Sequence, residues 1–241
     1  MSVGNHKRVC FRGGSADDDE YDIHEIQAKL KELKQTGSTL LVTGTVGERT
    51  TAYASSNLFG GPEASPPRKR VLALTDGSRA QTGAHFQETG LQTESRNWVT
   101  DLQEQERSIP ATASPNLPAL ERKPNSLTAL QTELQNAIDW FARDDLEPAE
   151  LRVGIDSLSY LLDEYSFAEV ERLVASISAS VKVDNGMSHF IYQRDPDENR
   201  ETIENLMAYC DAEIQLRKRN GNPAEQRWRI PDVGTTGWTR L

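Results

Sequence analysis

Apolar residues step by three and four through "IHEIQAKLKEL", where Ile23, Ile26, Leu30 and Leu33 share one face, and this spacing predicts an amphipathic helix. Gly37 ends it, and the apolar run at residues 40–42 predicts a short buried strand. A second helix is read over residues 51–59, closed by Gly60, Gly61 and Pro62. "PPRKRVLALTDGS" places another strand at residues 71–74 between turn residues. Leu127, Leu130, Leu134, Ile138 and Phe141 form the stripe of a helix that starts around Ser126. Residues 151–155 give a third strand, which ends at Asp156. Val170, Leu173, Val174 and Ile177 mark the next helix, and residues 189–192 the fourth strand. Ile203, Leu206, Met207 and Cys210 mark one helix more. The period then switches from helical to alternating in "AEIQLRKRNGNPAEQRWRI", on both sides of Asn220-Gly221-Asn222-Pro223, as in an antiparallel hairpin. Strands alternating with helices make an α/β chain, with a hairpin attached to its βαβα core.

Three stretches fall outside this rhythm. Residues 1–22 pass from a small basic cluster to an acidic run without apolar periodicity, and read as a disordered tail. Within the domain assigned to residues 23–230, residues 81–125 are rich in Thr, Ser, Gln and Pro and read as a flexible insertion, most exposed at 110–124. Residues 231–241 set Trp238 among Gly and Thr, as a flexible end or a docking strip.

Composition narrows the function classes. A chain of 241 residues buries enough core to need no disulfide or metal staple. Cys10 and Cys210 lie far apart and in no CxxC pattern, so free thiols in a reducing compartment are expected. The scattered histidines His6, His24, His85 and His189 offer no ligand spacing. No apolar run nears the ~20 residues of a membrane span, and residues 1–22 hold no apolar core of the kind a secretory signal needs, so the expected location is cytoplasmic and no membrane partner is expected. The net charge of −10 repels polyphosphate backbones, which argues against nucleic acid as a partner. Arginine far outnumbers lysine and acidic residues are plentiful. That balance fits a halophilic protein, since a Debye length of ~3 Å in molar salt hides self-repulsion. An ordinary acidic cytosolic protein remains the alternative.

The chemistry concentrates in "TLLVTGTVGERTTAYASSNLFG". A strand, a glycine turn and a helix opening with hydroxyls are the parts of a phosphate-binding loop, GxxxxGK[ST]. In that loop backbone N–H groups turn toward phosphates, the lysine neutralises them and the last hydroxyl holds magnesium. Laid on that pattern, Gly44 takes the first glycine and Thr51 the magnesium hydroxyl, with Thr45 and Gly47 in the turn. Arg49 falls on the second glycine and Thr50 on the lysine, with Glu48 adding a negative charge beside the phosphate path. Shifting by one residue puts Arg49 on the lysine but shortens the loop. The motif is broken in either register. Farther on, "LRVGIDSLSYLL" ends a strand in Asp156, the position of a magnesium-orienting aspartate, and equally that of an Asp capping the following helix.

Together these pieces resemble the RecA/KaiC-like phosphate-loop superfamily. The matching segments are "LLVTGTVGERTTAYASSNLF", "RVLALTDGS", "LRVGIDSLSYLL" and "HFIYQ…LMAYCDAEIQLRKR…QRWRI". More narrowly, the chain is similar to the haloarchaeal RecA-like proteins called HTR-like, in which the loop is degraded. The resemblance implies a RecA-like three-layer sandwich with a mostly parallel central sheet and a C-terminal antiparallel hairpin. It carries over Gly44, Gly47 and Thr51 to a vestigial nucleotide loop, and Thr51 with Asp156 to magnesium when a nucleotide binds. Where KaiC-like ATPases keep a water-activating glutamate, this chain has Thr75-Asp76-Gly77, so Asp76 is a short-armed candidate base.

The expected function is a non-catalytic interaction, signalling or regulatory module with weak or no ATP and magnesium binding, acting on another protein or on a second copy of itself. One alternative is a slow ATPase in which Arg49, Arg79 or a neighbouring subunit's arginine replaces the lysine. A DNA-binding, recombinase-like role is the third reading; its only local support is the basic runs at 68–70 and 217–219. The charge balance makes one prediction by itself: the thermal midpoint should rise by many degrees between dilute and molar salt. A melt insensitive to salt would contradict the halophilic reading.

Overall fold

The computed structural model describes residues 23–61, 63–76, 96–102, 126–219 and 221–241. The predicted tail at 1–22 and most of the stretch 81–125 lie outside the described residues. Helix α1 spans Ile23–Thr36, β1 Ser38–Thr43, α2 Glu48–Phe59, β2 Lys69–Leu74 and β3 Asn97–Asp101. Then come α3 at Leu127–Ala142, β4 at Leu151–Ile155, α4 at Leu158–Glu164, α5 at Phe167–Val183 and β5 at Met187–Tyr192. The chain ends with α6 at Arg200–Met207, β6 at Ala212–Arg217, β7 at Glu225–Ile230, β8 at Gly234–Thr235 and β9 at Thr239–Arg240.

These strands form one sheet in the order β3-β2-β4-β5-β1-β6-β7-β8, with β9 also on β7. From β3 to β6 every pairing is parallel, and β7, β8 and β9 add antiparallel partners. Alternation along β1 assigns the two faces. Leu40 and Val42 join a cluster with Ile26 of α1 and Ala54 of α2, whereas Leu41 joins Leu130, Leu158, Leu173 and Leu206 of α3 to α6. The fold is therefore a three-layer α/β sandwich: α1 and α2, then the sheet, then the remaining helices. A sheet buried on both faces needs continuous apolar strands, which is what β1, β2 and β4 supply.

Local signals set the helix starts. Ser126 caps α3 by accepting from the Ala129 amide at 3.2 Å, and Ser157 caps α4 by accepting from the Tyr160 amide at 3.2 Å. Ser166 and Glu169 close a capping box on α5.

Two sequence expectations are corrected. The stretch 81–125 is not loop throughout, because Asn97–Asp101 pairs in parallel with β2 as the terminal strand. The segment 231–241 is neither free nor outside the domain. Its β8 pairs with Arg229 and Ile230, and its β9 with Glu225 and Gln226.

The face under α2 is unusually close-fitting. A Cβ on Gly154 in β4 would lie 2.6 Å from Phe59 Cζ and 2.7 Å from His189 Cε1, both in buried rings. Gly154→Ala should therefore cost ~1–3 kcal/mol through overpacking, read as a lower midpoint in denaturant unfolding. An unchanged midpoint would mean that Phe59 moves aside freely.

Candidate functional site

The predicted phosphate loop sits where β1 leaves the sheet between β5 and β6. Gly44 has φ +115, and a Cβ there would stand 2.0 Å from the Leu216 carbonyl oxygen of β6. Its amide donates to the Arg194 carbonyl after β5, at 3.2 Å. Glycine is required at 44 for this close approach of two strand ends, whatever the loop binds.

Beyond Gly44 the loop departs from the phosphate pattern. α2 begins at Glu48, with Gly47 as its extended N-cap. The amides of Thr50 and Thr51 donate to the Gly47 carbonyl at 2.7 and 3.2 Å. Arg49 and Thr50 are thus already inside the first helical turn. The pattern places its second glycine at 49; here Arg49 lies in the helix, and only Thr45, Val46 and Gly47 stand between Gly44 and α2. Thr45 and Arg49 are exposed to solvent.

Thr51 is committed elsewhere. Its side chain is buried, and its Oγ1 accepts from Gln193 Nε2 at 2.9 Å. Asp156 is likewise engaged. Its Oδ1 accepts from the Thr75 amide and lies 2.8 Å from Thr75 Oγ1, while its own amide donates to the Ala73 carbonyl. β5 stands between β1, which leads into the helix of Thr51, and β4, which leads into Asp156. Asp76 follows β2 on the exposed rim. The fold thus brings Asp76 and Asp156 to one edge, with Asp101 at the end of β3. It gives Thr51 and Asp156 separate internal partners, Gln193 and Thr75. Among the described residues no group of three or more His, Cys, Asp or Glu is placed to hold a metal.

Burial drives the Asp156 carboxyl up from 3.8 to about 7, reinforced by the charge of Asp76 and more weakly by that of Asp101. The two Thr75 bonds oppose this shift without cancelling it. Cys210, on the opposite face, is buried and its thiol is pushed up to about 12, so it is no nucleophile at neutral pH.

Beside the loop lies a cleft of about 600 Å³, bounded by Gly44 and Thr45, the ends of β6 and β7, the start of α6 and the C-terminal segment. Four of the charged residues that line it are ion-paired. Arg229 bridges Glu213 at 2.6 Å and Glu204 at 3.0 Å, and Glu213 also accepts from Thr43 Oγ1 at 2.7 Å. Arg217 pairs with Glu225 at 2.8 Å. The guanidinium groups of Arg217 and Arg227 both stack on the Trp238 ring, at 3.8 and 4.6 Å from its centre. Sequence pattern alone missed Gln193, Thr75 and the Trp238 clamp. Only the alternation "QRWRI" hinted at the last, by putting Arg227 and Arg229 on one face of β7.

The model of a family of unknown function (DUF7504) matches residues 37–216, which takes in the loop, β4 and β6. No curated protein matches the chain.

The raised Asp156 pKa gives a signed pH dependence. Between about pH 4 and pH 7 the folded state holds a proton that the unfolded chain has released. This contribution is fully present below about pH 4 and is lost as pH rises through 7. Asp156→Asn keeps an oxygen for Thr75 and removes the titration, so its melting profile should be flatter over that window. Equal slopes in wild type and variant would show that Asp156 ionises normally.

Proposed function

We propose that this chain, which belongs to the DUF7504 family of unknown function, is a RecA/KaiC-like scaffold that works as an interaction or regulatory module and not as an ATPase. The observation that carries this reading is the early start of α2 at Glu48. It draws positions 49 and 50 into the helix, and it accompanies the engagement of the Thr51 hydroxyl by Gln193. Phosphoryl transfer depends on positioned positive charge at the transferring group. Here the lysine position holds Thr50, the magnesium hydroxyl is bonded, and the second-motif aspartate is anchored on Thr75, with burial raising its carboxyl above the usual range. These residues do not fit a magnesium–nucleotide complex. The mostly parallel three-layer architecture with its antiparallel hairpin supports the RecA-like relationship, and a fold of this kind serves many roles once its chemistry has lapsed.

Calorimetric titration of the full chain with ATP and magnesium in molar salt tests the reading, together with phosphate release. The expected result is no saturable heat at submillimolar nucleotide and no turnover above background. A magnesium-dependent turnover near ~1 s⁻¹, the low end for phosphoryl-transfer enzymes, would overturn it in favour of an arginine-assisted ATPase.

A further inference from the structure

At the opposite end of the strands, on the α1/α2 face, a second cavity of about 350 Å³ opens between the C-terminal ends of α1 and α2 and the strand β7. Three cations line it: Lys34 from the last turn of α1, Arg68 just before β2, and Arg152 in β4. Its other walls include Val42, Met187, Ile214 and the Trp228 ring. Among the described residues no carboxylate lines it, in a chain whose net charge is −10.

The cations are not neutralised from within. Arg152 is buried and donates only to carbonyls, those of Ala149 at 2.8 Å and Leu58 at 3.2 Å. Arg68 donates to the same Ala149 carbonyl at 2.9 Å, and its buried Nε has no acceptor. Glu150 and Glu147 act on Arg68 from outside the cavity, but Glu150 is already shared with Lys69 and with the Glu147 amide. Burial, together with Arg68 and Arg70, brings the Arg152 guanidinium down to about 9; Lys34, exposed at the rim, is lowered by partial desolvation and by the charges of Arg152 and Arg68. A buried cation such as Arg152, facing neutral acceptors and a neighbouring guanidinium, is costly unless an anion completes the set. Capping of α2 accounts for the Leu58 bond, but not for the bare Arg68 Nε nor for Lys34 at the rim.

The geometry points to a binding site for a small amphiphilic anion, with a carboxylate or phosphate-type head held by Lys34, Arg68 and Arg152 and an apolar body against Val42, Met187, Ile214 and Trp228. A concave, largely apolar pocket with a few convergent polar groups is the usual form of a small-molecule site, and about 350 Å³ falls within its size range. This assignment is independent of whether nucleotide binds at the other end of the sheet.

Decanoate is the probe, with decanol and inorganic phosphate as controls, titrated into the full chain in a buffer where it melts cooperatively. Saturable one-to-one binding of decanoate is expected, with a rise of several degrees in the thermal midpoint, while each control binds at least about tenfold more weakly. Lys34 is exposed, so Lys34→Glu leaves the fold intact. It should abolish decanoate binding and raise the midpoint of the free protein, because the new carboxylate supplies the missing counter-charge. Arg68→Gln should weaken binding at least about tenfold. Three outcomes would overturn the proposal: no saturable binding to the folded wild type, binding unchanged in Lys34→Glu, or decanol binding as tightly as decanoate, which would reduce the site to an apolar hole.

Discussion

Everything at the predicted nucleotide end depends on how α2 is bonded to the sheet beneath it. Near its start Thr51 accepts from Gln193, and in its middle Ser55 Oγ lies 2.8 Å from His189 Nε2 of β5. At its end the Leu58 carbonyl accepts from Arg152, and those of Phe59 and Gly60 from Arg70. Positions 51, 55 and 58–59 lie on one side of a helix. Thr51, Ala52, Ala54, Ser55 and Ser56 are small and buried, which lets the helix approach the sheet closely and lay Phe59 over Gly154. Unwinding the first turn to lengthen the phosphate loop would strip the buried Thr51–Gln193 pair, at ~1–3 kcal/mol for each polar group left unpaired. The short loop is thus a consequence of helix register, and the missing glycine and lysine accompany it.

The same register explains an arrangement that would otherwise be unfavourable. Arg70 and Arg152 are direct partners across β2 and β4, and like charges side by side on adjacent strands repel. Both guanidinium groups turn to the last carbonyls of α2, a helix with no basic residue of its own in its final turn. Cations at a helix C-terminus gain from its dipole, so the strands supply the charge that the helix lacks. At the other end of the same strands the sign reverses, with Asp76 after β2, Asp101 ending β3 and Asp156 after β4. At the C-terminal end the Thr75 bonds offset part of the cost of burying the Asp156 carboxyl. At the N-terminal end Arg68 is acted on by the outlying Glu150 and Glu147, and Lys34 faces Arg152 and Arg68.

Periodicity made most of the architecture legible. The apolar runs at 40–42, 71–74 and 151–155 lie within β1, β2 and β4, and the alternation around Asn222 marks β6 and β7. What escaped the pattern were elements held by pairing and not by their own composition. Asn97–Asp101, "NWVTD", is too short and polar to stand out, and only its register on β2 makes it a strand. The start of α2 was misplaced by three residues because Gly47 followed by charged Glu48 and Arg49 looks like turn, and nothing local reveals Gln193 waiting for Thr51. At the site, Gly44 was legible because a strand-end glycine has few alternatives. The engagement of Thr51 and Asp156 was not, since a hydroxyl or carboxylate looks the same in sequence whether it faces a ligand or a neighbouring strand.

The C-terminal segment bears on how a protein of this shape meets a partner. β7 would otherwise offer a row of unpaired backbone groups, and an exposed edge invites pairing with another chain. β8 and β9, of two residues each, cover both ends of β7, and the Thr236 amide donates to the Trp228 carbonyl between them at 2.8 Å. Trp238 then locks the segment down through the two arginine faces. Very short edge strands give little length for a further strand to follow. Strand addition at this side of the sheet is therefore disfavoured, and recognition here falls to side chains. Arg200 and Lys218 are exposed and line, with Thr45, the cleft that the segment helps to wall. A surface that is closed in its backbone and charged in its side chains selects partners by electrostatic complementarity, and in concentrated salt such selection works only at contact distance.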